Sequence, residues 1–293
     1  MTAETPRSSS IIGFGLLALG LTAINGGVWA GLLLTNLRTA PAVPWAAIVM
    51  AGILWVEWQY LNGRGWPVRT AAARHRSLRA RALTAQAFAW AIAAGLLSIA
   101  ALTGLWIVLF QLANESGNRL PDFSKYPPAT VALSLALAAL MGAVTEEAGF
   151  RGYLQGALER KFRGGVAIFI TCLAIAPAHA LTQGFAWATM LFYLFVDAMF
   201  GAMARLTMSI APGIVVHAIG LLTFFTLVWP YDATRRNVRT AGPDAWFWIH
   251  LAQAFAFGLL AIVAFVRLAQ RRRLGFVSPC PDPSSHARTH DRT

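Results

Sequence analysis

The chain has 293 residues, of which 57% are apolar and only 12% charged, whereas soluble domains carry about a quarter charged residues. That balance excludes a soluble globular fold. The formal charge of +12 does not indicate a nucleic-acid surface, because the Lys and Arg residues stand between hydrophobic segments instead of clustering on one folded face.

Charge-free runs from Ser8 to Leu37 and from Ala82 to Ala113 each exceed the roughly 20 apolar residues that cross a hydrocarbon core. The first is too long for the h-region of a secretory signal, about 7–15 residues, and is read as a retained helix. In chain order, the apolar runs and their breakers predict helices near Ser10 to Leu37, Pro44 to Leu61, Ala82 to Ala113 and Ala129 to Arg160. Four more are predicted near Val166 to Leu181, Phe185 to Arg205, Met208 to Trp229 and Ala245 to Val266. A turn at Thr182-Gln183-Gly184 is required, because a single helix from Val166 to Arg205 would be about 60 Å long, twice the bilayer core. The fold class is therefore an all-α, polytopic transmembrane helical bundle of about eight spans.

Eight spans put both termini on one side, and the basic residues assign that side to the cytoplasm. The cytoplasmic segments hold 17 of the 24 Lys and Arg residues, and six lie outside, of which Arg235, Arg236 and Arg239 share the last outer loop. In domain terms, residues 1–9 form a cytoplasmic N-terminus, 10–270 the transmembrane domain and 271–293 a disordered basic cytoplasmic tail. Cys172 sits in an apolar segment and Cys280 in the Pro-rich tail, a placement that argues against a disulfide between them.

Ionisable groups inside a span cost roughly 2.5–3.5 kcal/mol each on insertion scales, so they face a protein interior or a hydrated cavity. Here they are Glu146, Glu147, Arg151, His179, Asp197 and His217. Glu57, Arg205 and His250 fall near predicted helix ends, where snorkelling or headgroup contact accounts for them. Glu147 and Arg151 are spaced i,i+4 with the acid first, the favoured order for a helical ion pair. Glu146 is rotated about 100° from Glu147 and needs another partner. Two histidines on two other helices suggest convergence on a cavity where a carboxylate and an imidazole hold and deprotonate water. Pro177 is expected to bend its helix just before His179 and to free backbone groups for such a cavity. Gly142, Gly149, Gly152 and Gly156 let neighbouring helices approach, which packing alone would also explain. Asp197 has two readings, tuning the protonation of the cluster or pairing with Arg205 two turns on.

The run Glu146-Glu147-Ala-Gly-Phe-Arg151-Gly-Tyr-Leu, followed by His179 and by Ser209-Ile-Ala-Pro-Gly-Ile-Val-Val-His217, resembles the CPBP family. That family comprises the type II CAAX prenyl endopeptidases and their bacterial relatives, formerly called Abi proteins. The likeness covers roughly Val131 to Phe225, within a family-like core of about 129–229. The family's motifs are Glu-Glu-x-x-x-Arg, Phe-x-x-x-His and His-x-x-x-Asn or Asp. The first is complete, the Phe position is Ile175, and the Asn or Asp position is Leu221. The resemblance implies an intramembrane endopeptidase in a bacterial plasma membrane, acting on a membrane-presented peptide or protein, with CAAX-type processing as a candidate reaction, lipid as its environment and no nucleic-acid partner. It implies Glu146 as the general base that activates water with His179, His217 as a stabiliser of the oxyanion, and Glu147 with Arg151 as the pair that shapes the site. Leucine cannot donate a hydrogen bond, and losing one oxyanion donor typically costs about 10²–10³ in rate. Slow turnover, substitution by Gln183 or Thr223, and a non-catalytic binding or immunity-type relative are the consequences open to Leu221.

No cofactor is called for. Two Glu and two His could ligate zinc, but the His-Glu-x-x-His signature is absent. Secondary transport is disfavoured by the lack of internal repeats and paired broken helices.

Overall fold

A computed structural model describes residues 8–113, 123–183 and 185–273. Gly184, Cys280, the 274–293 part of the expected tail and the side chains of Pro177 and Gln183 lie outside the described residues. Helices are α1 (Ser8–Thr39), α2 (Trp45–Leu61), the short α3 (Ala71–Leu78), α4 (Ala85–Ala113), α5 (Pro128–Leu158), α6 (Gly164–Gln183), α7 (Trp187–Thr207), α8 (Ala211–Thr223) and α9 (Ala245–Arg273). Among the described residues, six stretches are long and apolar enough to cross a membrane, and α2 and α6 supply two shorter apolar helices. The molecule is an all-α polytopic bundle consistent with about eight spans.

Three boundaries differ from the sequence reading. α6 runs on through Pro177 to Gln183, so Thr182 and Gln183 belong to the helix and not to a turn. α9 continues to Arg273, so residues 271–273 are helical and not part of the tail. The short α3 adds a helix between the two predicted spans that end at Leu61 and begin at Ala82. Its apolar Leu78 is fully buried and anchors it to the cluster of Leu61, Ala148, Tyr153 and Ile210.

The outermost helices present the apolar surface of a bundle that sits in lipid. Phe255 and Leu259 on α9 are 72% and 64% exposed, as is Ile24 on α1 at 67%, a surface tolerable only against hydrocarbon. The core is aromatic. Trp106 on α4 has no exposed surface, stacks on Phe110 and meets Phe192 and Phe224 edge-on. Its indole N–H donates to Asp232, which also accepts from Arg235 at 2.9 Å. One arginine of the connection between α8 and α9 is thereby neutralised. The α1–α2 turn is tied by buried Asn36, whose Oδ1 accepts from the N–H of Ala46 and whose Nδ2 donates to the carbonyls of Ala40 and Val43. That satisfies backbone groups water would otherwise have to reach.

The residues set aside at helix ends have protein partners. Both Glu57 carboxylate oxygens accept from Nδ2 of Asn25. Nδ1 of His250 lies 2.9 Å from Gln253. Arg205 stands 4.0 Å from Glu159, so its pairing with Asp197 is not formed.

Candidate active site

α5 is not a regular helix where its charges lie. It is α-helical over Pro128–Glu146, a π-helix over Glu147–Leu154, and α-helical again over Gln155–Leu158. Such segments recur at functional sites because the wider turn re-aims the side chains that follow it. Gly149 permits the close packing this demands, since a Cβ there would come 2.9 Å from Cα of Ala18 on α1.

Glu147 and Arg151, both fully buried, face each other across 3.7 Å, from Oε1 to Nη1. That is an ion pair but a long one. The guanidinium makes its direct hydrogen bond elsewhere, donating from Nη2 to Oδ1 of buried Asp197 on α7. Oδ2 of the same carboxylate lies 3.8 Å from Nε2 of His179 on α6. Asp197 thus links arginine to imidazole, inside the cluster whose protonation one of its two sequence readings had it tune. Two charges in a dry interior are stable only when each is met by another, and here one guanidinium answers two carboxylates.

His217 on α8 occupies the other side of α5. Its Nδ1 is 3.2 Å from Oε1 of Glu147, and its Nε2 is 3.8 Å from Oε2 of Glu146. With a proton on Nδ1 the ring donates to Glu147 and turns its second nitrogen toward Glu146. Glu146 thus has the imidazole of His217, and not the Arg151 guanidinium, as its neighbour at 3.8 Å. It is also the less enclosed acid, with 14% of its side chain exposed. Glu147 is pressed against the first turn of α8, where a Cβ on Gly213 would come within 2.5 Å of Oε2. The helix dipole favours a negative charge there.

One face of α7 supports both imidazoles. Tyr193 stacks on His179 at 3.7 Å and 9°, and Phe200 stacks on His217 at 4.5 Å. With Asp197 between them, these residues follow the i, i+4, i+7 spacing of a single helical face. That spacing was the available signal for α7 as a wall of the site. Beside His217 lies a mostly apolar cavity of about 50 Å³, bordered by Tyr193, Phe200, Leu221 and Trp229. It has room for a few waters at about 10–15 Å³ each. Leu221 contributes a hydrocarbon wall where the CPBP motif has an amide or acid. Among the described residues, no group of three or more His, Cys, Asp or Glu side chains is placed to hold a metal ion.

Fold and site together define a polytopic integral membrane protein with a buried cluster of carboxylates, imidazoles and one guanidinium, built where α5, α6, α7 and α8 meet. Residues 128–223 match the family model described as Rce1-like, type II CAAX prenyl endopeptidase Rce1-like. The match supports the resemblance to the CPBP family, covers about a third of the chain, and contains every ionisable residue of the cluster. Comparison with curated proteins and with solved structures finds no match.

Proposed function

We propose that this chain is an intramembrane endopeptidase that hydrolyses a membrane-presented peptide bond with water activated by Glu146 and His179, in CAAX-type processing or a related cleavage. The observation that carries the reading is the placement of His217 between the two α5 carboxylates, at 3.2 and 3.8 Å, beside a cavity of water-holding size. Glu146, the more accessible acid, takes a proton from a water that His179 holds as the oxygen attacks the scissile carbonyl carbon. His217 donates to the resulting oxyanion from Nε2–H, which requires the imidazolium form while Nδ1–H is held by Glu147. When the tetrahedral intermediate collapses, the C–N bond breaks and Glu146 returns the proton to the departing amine. Glu147 orients His217, while Arg151 and Asp197 position the Glu147 carboxylate and the His179 ring.

The test is cleavage of prenylated and unprenylated CAAX-type peptides by the purified protein reconstituted in lipid. Glu146→Gln and His179→Ala are each expected to abolish cleavage with helical content unchanged. Full activity in both variants would overturn the assignment.

Leu221 favours a second reading, a membrane binding or immunity-type relative without peptidase activity. On that reading Glu146→Gln leaves partner binding intact, and Leu221→Asn creates no proteolysis.

A further inference from the structure

The basic end of α5 carries a feature the peptidase reading does not use. A cleft of about 330 Å³ opens there, and six arginines line it from four separate stretches of chain. Arg76, Arg79 and Arg81 come from α3 and the segment after it, Arg160 follows α5, Arg205 ends α7, and Arg272 lies near the end of α9. Glu159 is the one acid in the lining, so six guanidiniums and one carboxylate leave a formal charge of +5. That acid is already engaged. It lies 3.3 Å from Nη2 of Arg79 and accepts from Nε2 of Gln155 at 2.8 Å. Among the described residues, Arg76, Arg81 and Arg160 have no carboxylate at ion-pair distance.

Two of the six are held in place by backbone carbonyls. Arg79 has left-handed backbone (φ 57°) and donates to the carbonyls of Arg151 and Ala204. Arg272 donates to the carbonyl of Arg205 at 2.7 Å. Gly152 and Gly156 form the floor. A Cβ at 152 would stand 2.8 Å from the carbonyl oxygen of Leu78, and one at 156 would stand 3.1 Å from Cδ of Arg79. Burial lowers the pKa of Arg79 from its ordinary value and Glu159 opposes that shift, while the neighbouring charges of Arg81 and Arg272 push it further down. The cleft thus concentrates positive charge beyond what its own acid neutralises.

We propose that this cleft binds a phosphate-bearing anion, for which an acidic phospholipid headgroup at the membrane boundary is the source its position favours. Guanidinium forks match phosphate oxygens in pairs, and basic pockets between membrane helices are suited to lipid headgroups. The inference stands independently of the peptidase reading.

The full chain, purified in neutral detergent, is titrated separately with dioctanoyl phosphatidylglycerol, dioctanoyl phosphatidylcholine and sodium phosphate, and the thermal unfolding midpoint is followed. Phosphatidylglycerol is expected to raise it saturably and phosphatidylcholine to leave it unchanged. Arg76→Gln with Arg160→Gln should weaken the response by about tenfold or more, given roughly 1 kcal/mol per basic residue near an acidic headgroup. Arg81→Gln provides an independent variant at an exposed side chain. Arg64→Gln with Arg69→Gln removes the same charge outside the cleft and should change the response by less than about twofold. Saturable binding of inorganic phosphate with the same variant dependence, and none of phosphatidylglycerol, would keep the phosphate site and assign it a soluble ligand. Equal losses from both variant pairs, an equal response to phosphatidylcholine, or no saturable response to either phosphate source would overturn the proposal.

Discussion

Arg151 bonds directly to Asp197, 46 residues away on another helix, and only at longer range to Glu147, four residues away on its own helix. The cluster is consequently a property of the packed bundle and not of α5 alone. Removing one member leaves a buried charge without its counter-ion.

Asp197→Ala should therefore destabilise the protein by about 3–5 kcal/mol, the usual cost of breaking a buried pair from one side. The double variant Asp197→Ala with Arg151→Met should lose less than the sum of the two single losses, because the bond they share is broken only once, although Glu147 is then left without its cation. Denaturant or thermal unfolding in detergent measures both. Additive losses would show that the two side chains do not act as a pair.

Gly213→Ala tests the packing of Glu147 against α8. The new methyl group would have to displace the carboxylate from Nδ1 of His217, and a misplacement on the scale of 1 Å costs roughly 10²-fold in rate. Peptide cleavage should fall accordingly with helical content retained. Unchanged cleavage would mean that the position of Glu147 is immaterial to the reaction.

Leu221→Asn restores a donor to the cavity wall beside His217. If weak oxyanion stabilisation limits turnover, kcat should rise, by up to about 10²-fold, with KM little altered. Leu221→Ala makes room without a donor and should bring no rise. Equal effects of the two substitutions would attribute any gain to space and not to hydrogen bonding.

Gly104→Ala probes the scaffold away from the site. Its Cβ would stand 2.6 Å from the carbonyl oxygen of His250 and 3.0 Å from the nitrogen of Ala254, both backbone atoms that yield only if α4 and α9 separate. A loss of about 1–3 kcal/mol is expected, as for overpacking generally. The unfolding midpoint reports it, and the specific activity of the folded fraction should stay near wild type.

Much of the architecture was legible because hydrocarbon thickness imposes a length on every span. The charge-free stretch ending at Ala113 and the apolar run after Ala245 reappear as α4 and α9. The positions of Glu146, Glu147, Arg151, His179 and His217 inside apolar runs were equally plain, since a charge in a span is conspicuous. The role of Asp197 was not. Its nearest cation in sequence is Arg205, and a pairing rule confined to one helix points there and not to Arg151.

What the sequence by itself determined is the membrane bundle and the inventory of polar groups inside it, because burying a charge in lipid is so costly that each one announces itself. Only the tertiary structure decided which groups meet. The π-helical turn after Glu146, the meeting of the α7 face with two imidazoles from other helices and the convergence of six arginines around one cleft depend on how helices distant in the chain are placed against one another, and no local periodicity encodes that placement.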